Sequence, residues 1–219
     1  MNLLFKITLL LISTYLLPVN AQKKATEESF KILYDRFNMY EGEKVPDCAL
    51  LADNGEIIQL YELDCEVMIL DFWASWCSNC ISDFPDSIEL IERLKNHGYE
   101  SIKWISLSVD ADTSAWQKTM LRLQVPGSNY LISQYEALEK FHVIDYPSYI
   151  ILDKNKRILG YDILAPYSGS YMEYFICEAF KGQSAAVSFS KAIDIRDGYC
   201  YPSEYFKDWK ETYNLTHNE

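Results

Sequence analysis

Histidine is scarce in this 219-residue chain, occurring only as His97, His142 and His217. Of its six cysteines, only Cys77 and Cys80 form a close pair; Cys48, Cys65, Cys177 and Cys200 stand singly. A structural zinc site needs a second cysteine pair or histidines at ligand spacing, and that requirement is poorly met. Basic residues are also few, 20 Lys and Arg against 32 Asp and Glu, for a formal net charge of −12. Such a balance opposes nucleic acid and anionic membrane surfaces as partners. It says little about substrate, since most carboxylates form a solvated face. There is no internal repeat or low-complexity tract. Past the N-terminus, no apolar run reaches the length of a membrane span.

The N-terminus itself reads as a secretory leader over residues 1–21. Lys6 is the sole charge, Ile7 to Leu17 is almost wholly apolar, and Val19-Asn20-Ala21 supplies small residues at a cleavage site. An uncleaved anchor is the alternative reading. No cysteine follows the apolar run directly, which argues against a lipoprotein. Cleavage would leave a chain starting near Gln22, at net charge −13 once Lys6 is lost. Its expected location is periplasmic or otherwise extracytoplasmic, where disulfides persist. With 49% hydrophobic and 15% aromatic residues, the rest can build one domain's core and carry extensions.

The densest chemical signal is Trp76-Cys77-Ser78-Asn79-Cys80. An apolar run, Val67-Met68-Ile69-Leu70, leads through Asp71-Phe72-Trp73-Ala74-Ser75 into the cysteines. Ile81, Phe84, Ile88, Ile91 and Leu94 follow at helical spacing up to Gly98. The pattern predicts a buried strand, a turn carrying Cys77, and an amphipathic helix starting at the pair. A cysteine there faces unpaired N–H groups and the positive end of the helix dipole, which favour its thiolate. A partner one turn on can close a small disulfide. Redox chemistry is favoured over zinc or a purely structural pair.

Around this centre, Thr26 is expected to cap a lead-in helix over residues 22–42, with Phe30, Leu33, Phe37 and Tyr40 on one face. Asp53-Asn54-Gly55 signals a hairpin between Cys48–Leu51 and Ile57–Leu60. Ile102–Val109 reads as a strand, Asp112 as a helix cap, and Tyr135, Leu138 and Phe141 as a short helix. Tyr149–Leu152 and Arg157–Tyr161 form a second hairpin across Asp153–Lys156. Tyr171–Phe180 closes the unit as a helix. Pro85 falls inside the active-site helix and should kink it. Helices between buried strands, then a terminal hairpin, predict an α/β sandwich with a mixed sheet.

Together these residues resemble the thioredoxin superfamily, and more closely its secreted TlpA/ResA-like thiol-disulfide oxidoreductases. The similarity runs from about Val45 to Lys181. It rests on Val45-Pro46-Asp47, the Asn54-Gly55 hairpin, Asp71 through Cys77, Pro85 five residues after Cys80, and Tyr146-Pro147 before a strand. The resemblance implies a three-layer sandwich over residues 43–181, with an N-terminal hairpin and added terminal segments. It implies that Cys77 is the exposed nucleophile, Cys80 the buried resolving thiol, and Pro147 a cis-proline facing them. Trp76, Tyr146 and Pro147 would then contact substrate. Asp71 falls where thioredoxins keep a buried acid behind the disulfide, and Asp83 where the branch often has a glutamate. A partly solvated strand-end carboxylate and an ordinary first-turn helix aspartate are the plainer readings of these two.

Two features depart from the family. Asn79 stands where proline usually precedes the second cysteine, so the potential cannot be borrowed from relatives. Residues 182–219 lie outside the resemblance; their aromatics, among them Phe189, Phe206 and Trp209, are expected to cover the domain. A Cys177–Cys200 disulfide is the expected staple for that extension, with Cys48–Cys65 a weaker pairing and four buried free thiols the alternative. The Asn214-Leu215-Thr216 sequon reads as a chance match. The leading function is thiol-disulfide exchange with protein substrates, in the reducing direction, without a cofactor or metal. A membrane electron donor would be needed. The competing class is a thioredoxin-like peptide-binding module whose disulfide is inert.

Overall fold

A computed structural model describes residues 19–167, 170–196 and 199–212. Most of the expected leader, the Asn214 sequon and His217 lie outside these residues. Strands run over Ala49–Ala52 (β1), Ile57–Gln59 (β2), Val67–Trp73 (β3), Ile102–Ser108 (β4), Ser128–Leu131 (β5), Ser148–Asp153 (β6) and Ile158–Gly160 (β7). They form one sheet in the order β2-β1-β5-β4-β3-β6-β7. The central trio β5-β4-β3 is parallel, while β1, β2, β6 and β7 join antiparallel, so the sheet is mixed.

Every residue of β3 is buried, as its unbroken apolar run requires of a central strand covered on both faces. Alternate side chains serve different cores. Met68, Leu70 and Phe72 pack with Trp116 and Phe141, from helices Thr113–Arg122 (α3) and Gln134–Phe141 (α4). Val67 and Ile69 pack with Leu90 and Leu94 of helix Ser78–Asn96 (α2), and with helix Tyr171–Phe180 (α5). The three-layer expectation stands. Asp112 caps α3 as expected, accepting a hydrogen bond from the Ser114 N–H at 2.9 Å.

The terminal segments differ from expectation. The lead-in helix, Val19–Asn38 (α1), begins well before Thr26, so Thr26 is an interior residue rather than its cap. Thr26 and Ser29 are buried on the same face as the wholly buried Phe37. Beyond Gly182 the chain folds as helix Ala185–Ala192 (α6), hairpin Ile193–Arg196 (β8) with Tyr199–Pro202 (β9), and helix Glu204–Thr212 (α7). α1 packs on α6: the Phe30 and Phe189 rings lie 4.8 Å apart, and Phe37 meets Phe189 at 5.2 Å and Phe175 at 5.6 Å. α7 stacks Phe206 on Tyr171 at 4.4 Å and sets Trp209 against Tyr174 at 5.1 Å.

The expected Cys177–Cys200 staple is corrected. Cys177 is a free thiol, wholly buried in the core side of α5, where burial pushes its pKa up to about 12 despite a hydrogen bond with Tyr99. Cys200 sits in β9 opposite Ile195; its side chain lies outside the described ones. Aromatic packing holds the extension without that cross-link. Cys48 and Cys65 are likewise buried free thiols.

Candidate redox site

β3 delivers the chain to the top of the sheet at Trp73, and the segment to Cys77 is clamped there. Asp110, buried just past the end of β4, accepts hydrogen bonds from the Ser75 N–H (2.9 Å), the Ser75 hydroxyl (2.7 Å) and the Ser108 hydroxyl (2.7 Å). The Val109 N–H donates to the Trp73 carbonyl at 2.9 Å, and the Cys77 N–H to that of Ala74 at 3.0 Å. Charge-assisted bonds to a buried carboxylate are the strong kind, so Asp110 fixes where the cysteines begin. Sequence reasoning missed it. An acid just past the strand paired in parallel with β3 was the available signal.

Cys77 is the N-cap of α2, and Cys77 and Cys80 are joined in a disulfide with their Cα atoms 5.3 Å apart. The Cys80 N–H donates to the Cys77 sulfur at 3.2 Å. That donor and the helix dipole act on Cys77 Sγ, so a thiolate forming there gains stabilisation that Cys80 does not. Cys77 is 7% exposed and Cys80 1%. The order of access is the expected one, but in the closed disulfide Cys77 is nearly covered rather than exposed.

The strand and helix that flank the cysteine turn carry a buried pair of acids. Asp71, in mid-β3, sits opposite Ser106 of β4 and Tyr149 of β6. Its Oδ2 accepts from Trp104 Nε1 at 3.1 Å and from the Ser106 hydroxyl at 3.4 Å. Complete burial raises its pKa to about 7; the hydrogen bond from Trp104 opposes the rise and the charge of Asp83 adds to it. Asp83 lies one turn after Cys80, on the same side of α2. Burial lifts its pKa to about 6 against the Tyr149 hydroxyl, which donates to Asp83 Oδ2 at 3.0 Å. Tyr149 is itself held well above its usual range by burial and by both acids, so it remains a donor. Asp71 is buried in mid-strand rather than partly solvated at the strand end, and Asp83 is buried beyond the first turn of α2 rather than an ordinary first-turn acid.

At the surface the remaining expected residues meet. Trp76 is 63% exposed, and its ring stands edge-on to Tyr146 at 5.9 Å. The Tyr146–Pro147 peptide is cis. Tyr146 and Pro147 share with Asn79 the wall of a cavity of about 210 Å³. The proline loop thus borders the cysteine turn. Among the described residues, no cluster of three or more His, Cys, Asp or Glu side chains is placed to hold a metal ion.

This architecture has known counterparts. A thiol-disulfide oxidoreductase ResA from Bacillus cereus is 25% identical over 138 residues, 63% of this chain and 66% of that relative. The match therefore spans slightly less than two thirds of the curated relative. A candidate thiol-disulfide oxidoreductase from Bacteroides vulgatus superposes with a TM-score of 0.56 at 21% identity, covering 66% of this chain and 97% of that one. A candidate thiol:disulfide interchange protein DsbE from Chlorobium tepidum gives 0.55 at 23% identity, over 64% and 97%. At these identities the structures report on fold alone, and that fold is the thioredoxin-like sandwich. Residues 42–160, more than half of the chain, match the AhpC/TSA family, and the chain belongs to it.

Proposed function

We propose that this protein is a thiol-disulfide oxidoreductase that exchanges disulfides with protein substrates through Cys77 and Cys80. The observation that carries the reading is the placement of Cys77 as the N-cap of α2, its sulfur bonded to Cys80 both covalently and through the Cys80 N–H. In the reducing direction, the Cys77 thiolate attacks one sulfur of a substrate disulfide. A mixed disulfide forms, and the first substrate thiolate leaves and takes a proton. The Cys80 thiolate then attacks Cys77 Sγ, closing the enzyme disulfide and expelling the second substrate thiolate, which is protonated in turn. Two electrons pass from enzyme to substrate, and an external dithiol must restore the pair.

Cys80 has to lose its proton to attack. Asp71, with Asp83 coupled to it, has a pKa near the working range of a general base and is assigned that proton. Trp76, Tyr146 and Pro147 form the platform on which substrate lies. The reducing direction, a membrane electron supplier and an extracytoplasmic location complete the proposal, supported by the leader-like N-terminus and the resemblance. Potentials of related pairs span about −270 to −120 mV, roughly 7 kcal/mol, so an equilibrium with glutathione decides the direction. A value near the upper end would make the protein an oxidant.

Insulin reduction by dithiothreitol is the test of exchange. The intact protein should accelerate it and Cys77→Ser should return it to background. No thiol-dependent acceleration by the intact protein would leave a peptide-binding module as the better reading.

A further inference from the structure

The cavity beside Asn79 and Pro147 does not end at the active site. Its far wall is built by α1, through Leu33, Arg36 and Phe37. A second cavity, of about 590 Å³, also borders α1 and is lined by Ile32, Met39 and Ile144 among others. Arg36, Asp145 and Asp162 line both. The two spaces therefore adjoin, with this charged cluster as their common wall.

The junction has a built character. Arg36 forms an ion pair with Asp162, both side chains largely buried. Asp162 holds a left-handed backbone (φ 47°), which aspartate adopts more readily than most non-glycine residues. Asp145 also acts electrostatically on Arg36, while its own side chain is exposed. Asp35 borders the second cavity, paired with Lys31 on α1. His142 faces the same space and lies 3.6 Å from Glu43. With Arg36 paired to Asp162 and Lys31 to Asp35, the exposed Asp145 carboxylate tips the junction negative, which favours an incoming cation. Beyond it, Ile32 (48% exposed), Met39 (44%) and Ile144 (82%) leave an apolar shelf facing solvent.

We infer that the two cavities form one substrate groove, running from the cysteines past Pro147 and across the Arg36–Asp162 pair to the apolar shelf. Its occupant is an extended segment of the disulfide-bearing protein substrate. Reading away from the reacting cysteine, that segment carries a Lys or Arg over Asp145 and then a large apolar side chain on Ile32, Met39 and Ile144. The inference rests on the exchange reading for the near end of the groove. Two observations carry the far end: it adjoins the cavity beside Asn79 through three shared lining residues, and the exposed Asp145 carboxylate stands at that wall. Part of the groove, Ile32 and Arg36 of α1 with Met39 just after it, lies outside the residues that match the family.

Binding tests the groove independently of turnover. Fluorescently labelled peptides with serine in place of the reacting cysteine would be titrated into the full, oxidised protein. One peptide carries Arg followed by Leu, a second Glu followed by Leu, and a third Arg followed by Ser. Tighter binding of the first than of the second by about tenfold is expected from the charge cluster. A preference of similar size over the third, again about tenfold, is expected from covering the shelf. Asp145→Asn should reduce the first preference to about threefold, and a combined Met39→Ser, Ile144→Ser variant should abolish the second. Circular dichroism confirms that the variants fold. Equal binding of the three peptides, or preferences untouched by these substitutions, overturns the groove. Selective binding by a protein that fails the insulin assay would uphold the groove and overturn exchange instead.

Discussion

The two faces of the central sheet are built from different sources. On one face, Met68, Leu70 and Phe72 meet α3 and α4, all within the stretch matching the family. On the other, Val67, Ile69 and Tyr149 meet α2 and α5, and then a second shell supplied by both chain termini, α1 and α6 with α7. The second face also holds the two buried acids. On that face Phe37, Phe175, Phe189 and Trp209 form a buried aromatic layer. The terminal segments thus join the core on the side of the sheet that holds Tyr149 and the acids, without contributing a residue to the cysteine motif.

If the termini are a true part of the core, truncating a ring on either face should cost alike. Phe37→Ala on the terminal side and Phe72→Ala on the other are each expected to destabilise by about 3–5 kcal/mol, read by urea unfolding. A cost below about 1 kcal/mol for Phe37→Ala, against the usual range for a buried ring, would show that the terminal layer is not docked.

Asp71 supplies a second contrast, a buried acid in the middle of an otherwise apolar strand. Its carboxyl ionises near 3.9 in an unfolded chain and at about 7 in the fold. Between those values the folded state holds the extra proton, so this contribution to stability is full below about pH 4 and declines as pH rises to 7. Asp83, raised to about 6, acts in the same direction over a narrower window. Asp71→Asn should flatten the decline and exceed the parent in stability above pH 7, by on the order of a few kcal/mol. It should also slow release of the mixed disulfide more than its formation. Parallel stability–pH curves for the two proteins would mean that Asp71 is solvated.

Helix caps compare the regions at finer scale. The Ser133 hydroxyl oxygen caps α4, accepting from the Glu136 N–H at 3.1 Å; that of Ser184 caps α6, accepting from the Val187 N–H at 3.4 Å. Replacing either with Ala should cost about 1 kcal/mol in a single shared transition. A separate, earlier transition in the Ser184 variant would make the terminal layer an independent unit. The smallest effect is expected at Cys177. Cys177→Ala should leave the thiol–disulfide equilibrium of Cys77 and Cys80 unshifted, as a buried thiol at pKa about 12 supplies no thiolate at neutral pH. A shifted equilibrium would tie it to the redox pair.

Sequence carried the motif strand, the active-site helix, both hairpins and the closing helix well, because each has a period, a cap or a turn of its own. Ser128–Leu131 escaped: four residues beginning Ser-Asn show no apolar alternation, and only pairing between β4 and β1 makes them a strand. Its entry depends on Gly127, at φ 65°, where a Cβ would sit 2.2 Å from the Trp104 carbonyl oxygen. The start of α1 was misplaced because Thr26 has the chemistry of a cap, yet tertiary burial keeps it inside a longer helix. At the site, Cys77, Cys80, Asp71 and Asp83 were legible from spacing and resemblance. Asp110, Trp104 and Tyr149 were not, as their partners lie 35, 33 and 66 residues away. The Arg36–Asp162 pair, from two segments with no shared motif, was equally hidden.

The division of labour between the two sulfurs is the most exposed part of the account, and trapping measures it directly. The reduced Cys80→Ser variant would be mixed with a disulfide-bonded protein such as insulin, quenched with acid and mapped by peptide mass spectrometry. The expected result is an accumulated mixed disulfide confined to Cys77, formed faster than with free cysteine at pH 6–7 because its thiolate is stabilised. An adduct at Cys48, Cys65 or Cys177, or attack at Cys77 no faster than by free cysteine across that range, would contradict it.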